Sequence, residues 1–179
     1  MPTLLTHPAV PLAVGAALGT RIVPPRLLLA GVALSILPDL DVLAFRFGIG
    51  YADSFGHRGF SHSLLFALLA AIAGAIAYRS MRTRFAIALA FLLVAAVSHG
   101  VLDAFTNGGM GVAFLWPWTD LRLFAPSRPI EVSPIGLSRF FSARGASVMV
   151  SEVLWVWLPC ATLALGVALT RRMRVNARA

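Results

Sequence analysis

The chain has 179 residues, 59% of them hydrophobic and only 12% charged, with a mean hydropathy of +0.84. Soluble domains carry roughly 25% charged residues, so this composition argues against a soluble enzyme, a disordered chain and a nucleic-acid-binding module. The formal charge of +8 comes entirely from arginine, since no lysine occurs, and where those arginines lie decides what they mean.

Met1 to Val10 has no basic region and no cleavage motif follows, so no secretory signal peptide is expected. Apolar runs then predict five membrane helices, near 7–22, 26–38, 61–79, 84–104 and 150–171. The first two are short and form a hairpin about Pro24-Pro25. Residues 104–150 form a long outer loop, broken by Asn107-Gly108-Gly109, Trp116-Pro117-Trp118 and later prolines, whose apolar start at Val112–Leu115 is placed to dip back into the bundle. Cys160 is the single cysteine, so no internal disulfide forms. The expected fold is one all-α membrane domain over residues 1–179, because lipid admits only helices or closed barrels and strand-like alternation is absent.

With five spans, the turns near 21–26 and 79–84 and the C-terminal tail share one side, which holds nine arginines and no acid. The positive-inside rule then sets the C-terminus in the cytoplasm and the N-terminus outside, and no nucleic-acid partner is needed to explain the charge. Trp155 and Trp157 read equally as interfacial anchors at the outer boundary or as packed core.

The polar residues gather at the other side. Counting along each helix, His7 lies about 21 Å from Arg21, Asp39 about 20 Å from Arg26, His62 about 25 Å from Arg79 and His99 about 22 Å from Arg84. Asp41, His57 and Asp103 lie one or two turns further out. Ionisable groups inside membrane segments are costly and face a bundle interior or a wet cavity, so their collection at one depth predicts a shared site.

Local spacing adds detail. His99 and Asp103 stand four apart on one helical face, either as two metal ligands or as an imidazole and the carboxylate that orients it. In Leu37-Pro38-Asp39-Leu40-Asp41 the proline predicts the end of the second helix, and an extended continuation points both carboxylates the same way, toward a divalent cation; a plain helix-terminating turn is the alternative. In His57-Arg58-Gly59-Phe60-Ser61-His62-Ser63, a helix starting at an N-cap Ser61 lets the two histidines converge. Arg58 then offers a bidentate donor to phosphate or carboxylate, or pairs with a neighbouring aspartate. Arg122 follows Trp116-Pro117-Trp118 and reads either as a second phosphate contact or as a solvated loop charge. Histidine and aspartate without thiolate suit zinc, manganese or iron, and up to seven ligands leave room for one or two ions.

At these residues the sequence resembles the YdjM-type inner-membrane proteins, through Leu37-Pro38-Asp39-Leu40-Asp41, His57-Arg58-Gly59-Phe60-Ser61-His62-Ser63, Ser98-His99 to Asp103, and Leu115-Trp116-Pro117. The resemblance runs from about His7 to Arg122 and implies a membrane-bound metal-dependent hydrolase. It places His7, Asp39, Asp41, His57, His62, His99 and Asp103 at the metal. A more distant similarity in the order of His, Asp and HxxxD is to zinc-dependent phospholipase C and P1-type nucleases. Those enzymes carry a further HxxxE pair, whereas no histidine follows His99 here, so one or two metals are expected rather than a trinuclear cluster.

The expectation is a hydrolase at the outer leaflet of a bacterial inner membrane, with membrane lipid around it and an amphipathic phosphoester, such as a phospholipid, as substrate. Asp39 or Asp41 is the general base, and Arg58 and Arg122 hold the phosphate. The rival is a non-catalytic metal-binding or transport protein using the same residues.

Overall fold

The computed structural model describes residues 1–134 and 140–176, among which every regular element is helical and strand pairing is confined to two single bridges. Helix α1 spans Ala9–Leu18 and α2 spans Pro25–Ile36, continued without a break by a 3₁₀ helix over Leu37–Phe47. A short 3₁₀ turn, Phe60–His62, leads into α3 at Leu64–Ala75, and α4 covers Phe85–Ala104. Helix α5 at Ala143–Glu152, a π-helical turn at Val153–Trp157 and α6 at Leu158–Asn176 form one long rod.

Among the described residues, three stretches are long and apolar enough to cross a membrane: Pro25–Phe47, Phe85–Ala104 and Ala143–Arg174, of 23, 20 and 32 residues. Helices α1 and α3 are shorter than the sequence suggests. At 1.5 Å per residue their 10 and 12 residues reach about half-way across a hydrocarbon core of roughly 30 Å. Both are flanked by non-α turns that extend them: Leu4 to Pro8 before α1, and Ile76 to Arg82 after α3.

Small residues set the packing. Ala67, Ala71 and Ala75, four apart on α3, are buried, and Gly74 faces Leu92 of α4. Gly31 of α2 lies so close to Phe91 of α4 that an added Cβ would meet the ring at 2.4 Å. Without a hydrophobic drive between helices in lipid, such close backbone approach is what supplies dispersion contact. Leu27, Ala71, Ala88 and Leu92 complete this core. The outward faces stay apolar, with Leu163 and Leu165 of α6 70% and 60% exposed, which suits a lipid environment.

The two ends differ in chemistry. At one, Arg26 donates to the Ser80 carbonyl and Arg171 to that of Ala17, gathering the arginine-rich turns and the end of α6. At the other, the stretch after α4 folds back over the bundle: Val112 and Ala113 are buried, the Ala113 amide donates to the Arg58 carbonyl, and the Leu64 amide donates to that of Phe114. The return of Val112–Leu115 is as the sequence suggests. The last helix differs, beginning at Ala143, well inside the stretch read as irregular loop. Ser142 caps it by accepting from the Gly145 amide, and its charged residues mask its helical character in an apolarity scan.

Candidate metal centre

Four separate elements meet at the end opposite the arginine turns. His99 and Asp103 project from α4, both fully buried. Asp39 comes from the 3₁₀ helix, His62 from the turn before α3, and His7 from the segment before α1. Two local details differ from the sequence reading. Pro38 ends the α-helical hydrogen bonding but not the helix, so the chain continues as 3₁₀ rather than extended. With three residues per turn, positions i and i+2 diverge; Asp39 turns to the centre while Asp41 faces His57 and His62. The N-cap of α3 is Ser63, which accepts from the Phe66 amide, and Ser61 instead donates to Asp41.

Hydrogen bonds fix the tautomers. His99 Nδ1 lies 2.7 Å from the Ser35 carbonyl, which can only accept, so Nδ1 carries a proton, and in the neutral ring Nε2 then presents a lone pair. His62 Nδ1 lies 3.2 Å from Asp41 Oδ2, again an acceptor, so in the neutral ring its Nε2 presents a lone pair as well. The two Nε2 atoms face each other at 2.9 Å, and with both rings neutral and protonated at Nδ1 no hydrogen bond would join them.

Around them stand more acceptors. Asp39 Oδ1 is 3.5 Å from His99 Nε2, Asp103 Oδ2 is 3.2 Å from His62 Nε2, and His7 Nε2 is 3.4 Å from Asp39 Oδ2. All four oxygens of Asp39 and Asp103 and both ring nitrogens of His7 are buried without a hydrogen bond. The His7 ring stacks on that of His99 at 3.8 Å. Asp103 is ion-paired with Arg58, but Asp39 has no guanidinium or amine partner, and a second carboxylate buried among imidazoles is costly unless a further cation compensates it. Ligand atoms of Asp39, His62, His99 and Asp103 lie within 4.8 Å of one another, a donor set that fits a divalent metal ion.

A second group shares His62. Asp41, His57 and His62 also converge within 4.8 Å, but here the carboxylate has partners: His57 Nδ1 at 2.6 Å, the Ser61 hydroxyl at 2.7 Å and the Arg58 amide at 3.2 Å. Asp41 thus joins His57 to His62, supporting the inner group from behind. Tyr51 packs edge-on against His57, and burial pushes its phenol above the ordinary value, so it stays neutral.

The two arginines are engaged. Arg58 is fully buried with φ +64°; its Nε is 3.1 Å from Asp103 Oδ2, while Nη1 donates to the Gly108 carbonyl and Nη2 to the Thr106 hydroxyl. Arg122 donates to the backbone carbonyls of His57 and Asp53, pinning the loop that carries His57.

Residues 1–176 match the family described as YdjM inner membrane protein. The chain belongs to that family. It is also 50% identical over 160 residues to the inner membrane protein YbcI of Escherichia coli (strain K12), an alignment covering 89% of this chain and 92% of that one. No solved structure matches significantly. The inner-membrane setting of the family agrees with the apolar spans, and the polar residues that carried the resemblance are those found at the buried centre.

Some participants escaped the sequence reading. Ser35 reads as an ordinary helix serine, although its carbonyl fixes His99. Gly100 lets the His62 carbonyl approach α4, since a Cβ there would sit 3.1 Å from it. Glu152 is buried against Thr3 and Thr6, and its only sequence signal is an acid at the head of an apolar run.

Proposed function

We propose that this inner membrane protein is a metal-dependent hydrolase of a phospholipid or another lipid-linked phosphoester. The observation that carries the reading is the buried meeting of His62 Nε2 and His99 Nε2 at 2.9 Å, beside four oxygens of Asp39 and Asp103 that accept no hydrogen bond. His62, His99, Asp39 and Asp103 would hold one divalent ion, with His7 beside them; zinc suits this donor set best, with manganese or iron as the alternatives. Such an ion supplies Lewis acidity toward a phosphoryl oxygen and makes water acidic enough to attack at neutral pH.

The chain's own residues divide the remaining work. Asp39, whose two oxygens face the centre unpartnered, is the better-placed proton acceptor; Asp41 is already bound by three donors and serves to orient His62. Arg58 acts through Asp103, and Arg122 through the His57 loop; a phosphate contact would require either to release its present partners. The arginine-rich end belongs in the cytoplasm by the positive-inside rule, which puts the centre near the outer leaflet and favours an amphipathic substrate. The inner stretches Leu64 to Ala77 and Phe85 to Val97 carry no ionisable residue, which favours a one-sided site over a conduction path.

A second reading, a resident metal without turnover, is favoured by the depth of burial: the side chains of His7, Asp39, His62 and Asp103 are at most 2% exposed. Metal analysis of detergent-purified protein beside His62→Ala and Asp39→Ala, followed by a phospholipid hydrolysis screen with and without chelator, separates the two. The hydrolase reading expects bound metal in the wild type, metal near background in both variants, and chelator-sensitive turnover. Metal without turnover on any phosphoester supports the second reading, and a wild type that binds no divalent metal ends both.

A further inference from the structure

Glu152 lies at the junction of α5 and the π-helical turn, fully buried, and takes no part in the centre itself. Its carboxylate accepts from the Thr3 amide, from the Thr3 hydroxyl at 2.6 Å and from the Thr6 hydroxyl at 2.6 Å. The turn that follows brings round Trp157, whose indole N–H donates to the same Thr6 hydroxyl at 3.1 Å. One helix therefore grips the segment before α1 at two points, and the residue after Thr6 is His7. His7 has no hydrogen bond of its own to hold it at the centre.

We infer that Glu152 is a positioning residue for His7: its carboxylate, with Trp157, clamps residues 3–6 across the last helix and so presents the His7 imidazole to Asp39 and Asp103. The clamp stands on geometry alone; that it tunes metal binding rests on the metal reading above. Hydrogen bonds to a charged acceptor are the strong kind, and removing the acceptor takes it from three buried donors, of which the Thr3 hydroxyl keeps only a 3.5 Å contact to the Thr6 hydroxyl. A glutamine of the same shape keeps much of this, its carbonyl accepting from the Thr3 amide and its amide donating to a hydroxyl.

Carbethoxylation of histidines by diethyl pyrocarbonate, read residue by residue by mass spectrometry on the full chain in detergent, tests the clamp without needing metal. In the wild type all four histidines are buried and react slowly. Glu152→Ala is expected to speed His7 modification by roughly tenfold or more, the least that loss of a hydrogen bond to a charged group implies, while His99 stays protected. Glu152→Gln restores most of the protection and Trp157→Phe gives an intermediate rate. Unchanged His7 protection in Glu152→Ala overturns the inference. So does simultaneous exposure of all four histidines, which would make Glu152 a support of the whole fold. Zinc affinity supplies the second arm: Glu152→Ala weakens binding in the wild-type background and adds nothing in a His7→Ala background. Additive losses overturn the link to His7. A wild type that binds no zinc fails the metal reading alone, and the modification result still decides the clamp.

Discussion

At the scale of single residues, the centre is an arrangement of acceptors whose supports matter as much as its ligands. Asp41→Asn keeps the shape of the side chain but weakens its hold on the His62 ring. Loss of such an orienting carboxylate lowers metal affinity by about 10–100-fold, and titration with a competing chelator should show a drop in that range with the fold intact. Asp103→Ala does something different: it leaves Arg58 buried and charged without its ion-pair partner. Breaking a buried pair from one side costs about 3–5 kcal/mol, so thermal unfolding in detergent should reveal a strongly destabilised variant even under metal-free conditions. Much of this cluster was legible in the sequence, because His99 and Asp103 declare a shared face by spacing and His62 by its place at a helix start. The divergence of Asp39 from Asp41 was not, since it depends on the chain staying helical through Pro38. Neither was the engagement of Arg58 with Asp103, which a string of residues can suggest only as one of several partners.

At the scale of elements, glycine and alanine decide how closely helices approach. Gly31→Ala gains about 1 kcal/mol in helix propensity, yet the new Cβ would stand 2.4 Å from the Phe91 ring. Overpacking of that kind costs about 1–3 kcal/mol, so the substitution should lower the melting temperature rather than raise it. The helices themselves were readable from apolar runs, though α1 and α3 are shorter than those runs. The stretch Ala143–Glu152 was hidden because its arginine and glutamate suppress apolarity, and because its helical signal lies in the Ser142 cap and in a single buried face of Val148, Ser151 and Glu152.

At the scale of the whole molecule, the bundle is polarised, with the acid-free arginine turns at one end and the carboxylates and imidazoles, accompanied by Arg58 and Arg122, at the other. A reporter enzyme fused after the last helix should therefore read as cytoplasmic, and substituting Arg171, Arg172 and Arg174 together by glutamine should weaken that bias. A periplasmic signal would reverse the orientation and move the centre to the inner leaflet. This large-scale asymmetry was plain from arginine positions, because topology is written in short loops. The contacts that tie the first residues to the last helix were not, as no local pattern links Thr3 with a glutamate 149 residues away.

That separation has a consequence for biogenesis. A nascent chain emerging from the ribosome carries residues 3–7 toward the bilayer long before Glu152 has been synthesised, so the hydrogen bonds from Thr3 and Thr6 to that carboxylate can form only once the final helix has been made. The clamp is thus completed last, only after translation has passed the final helix.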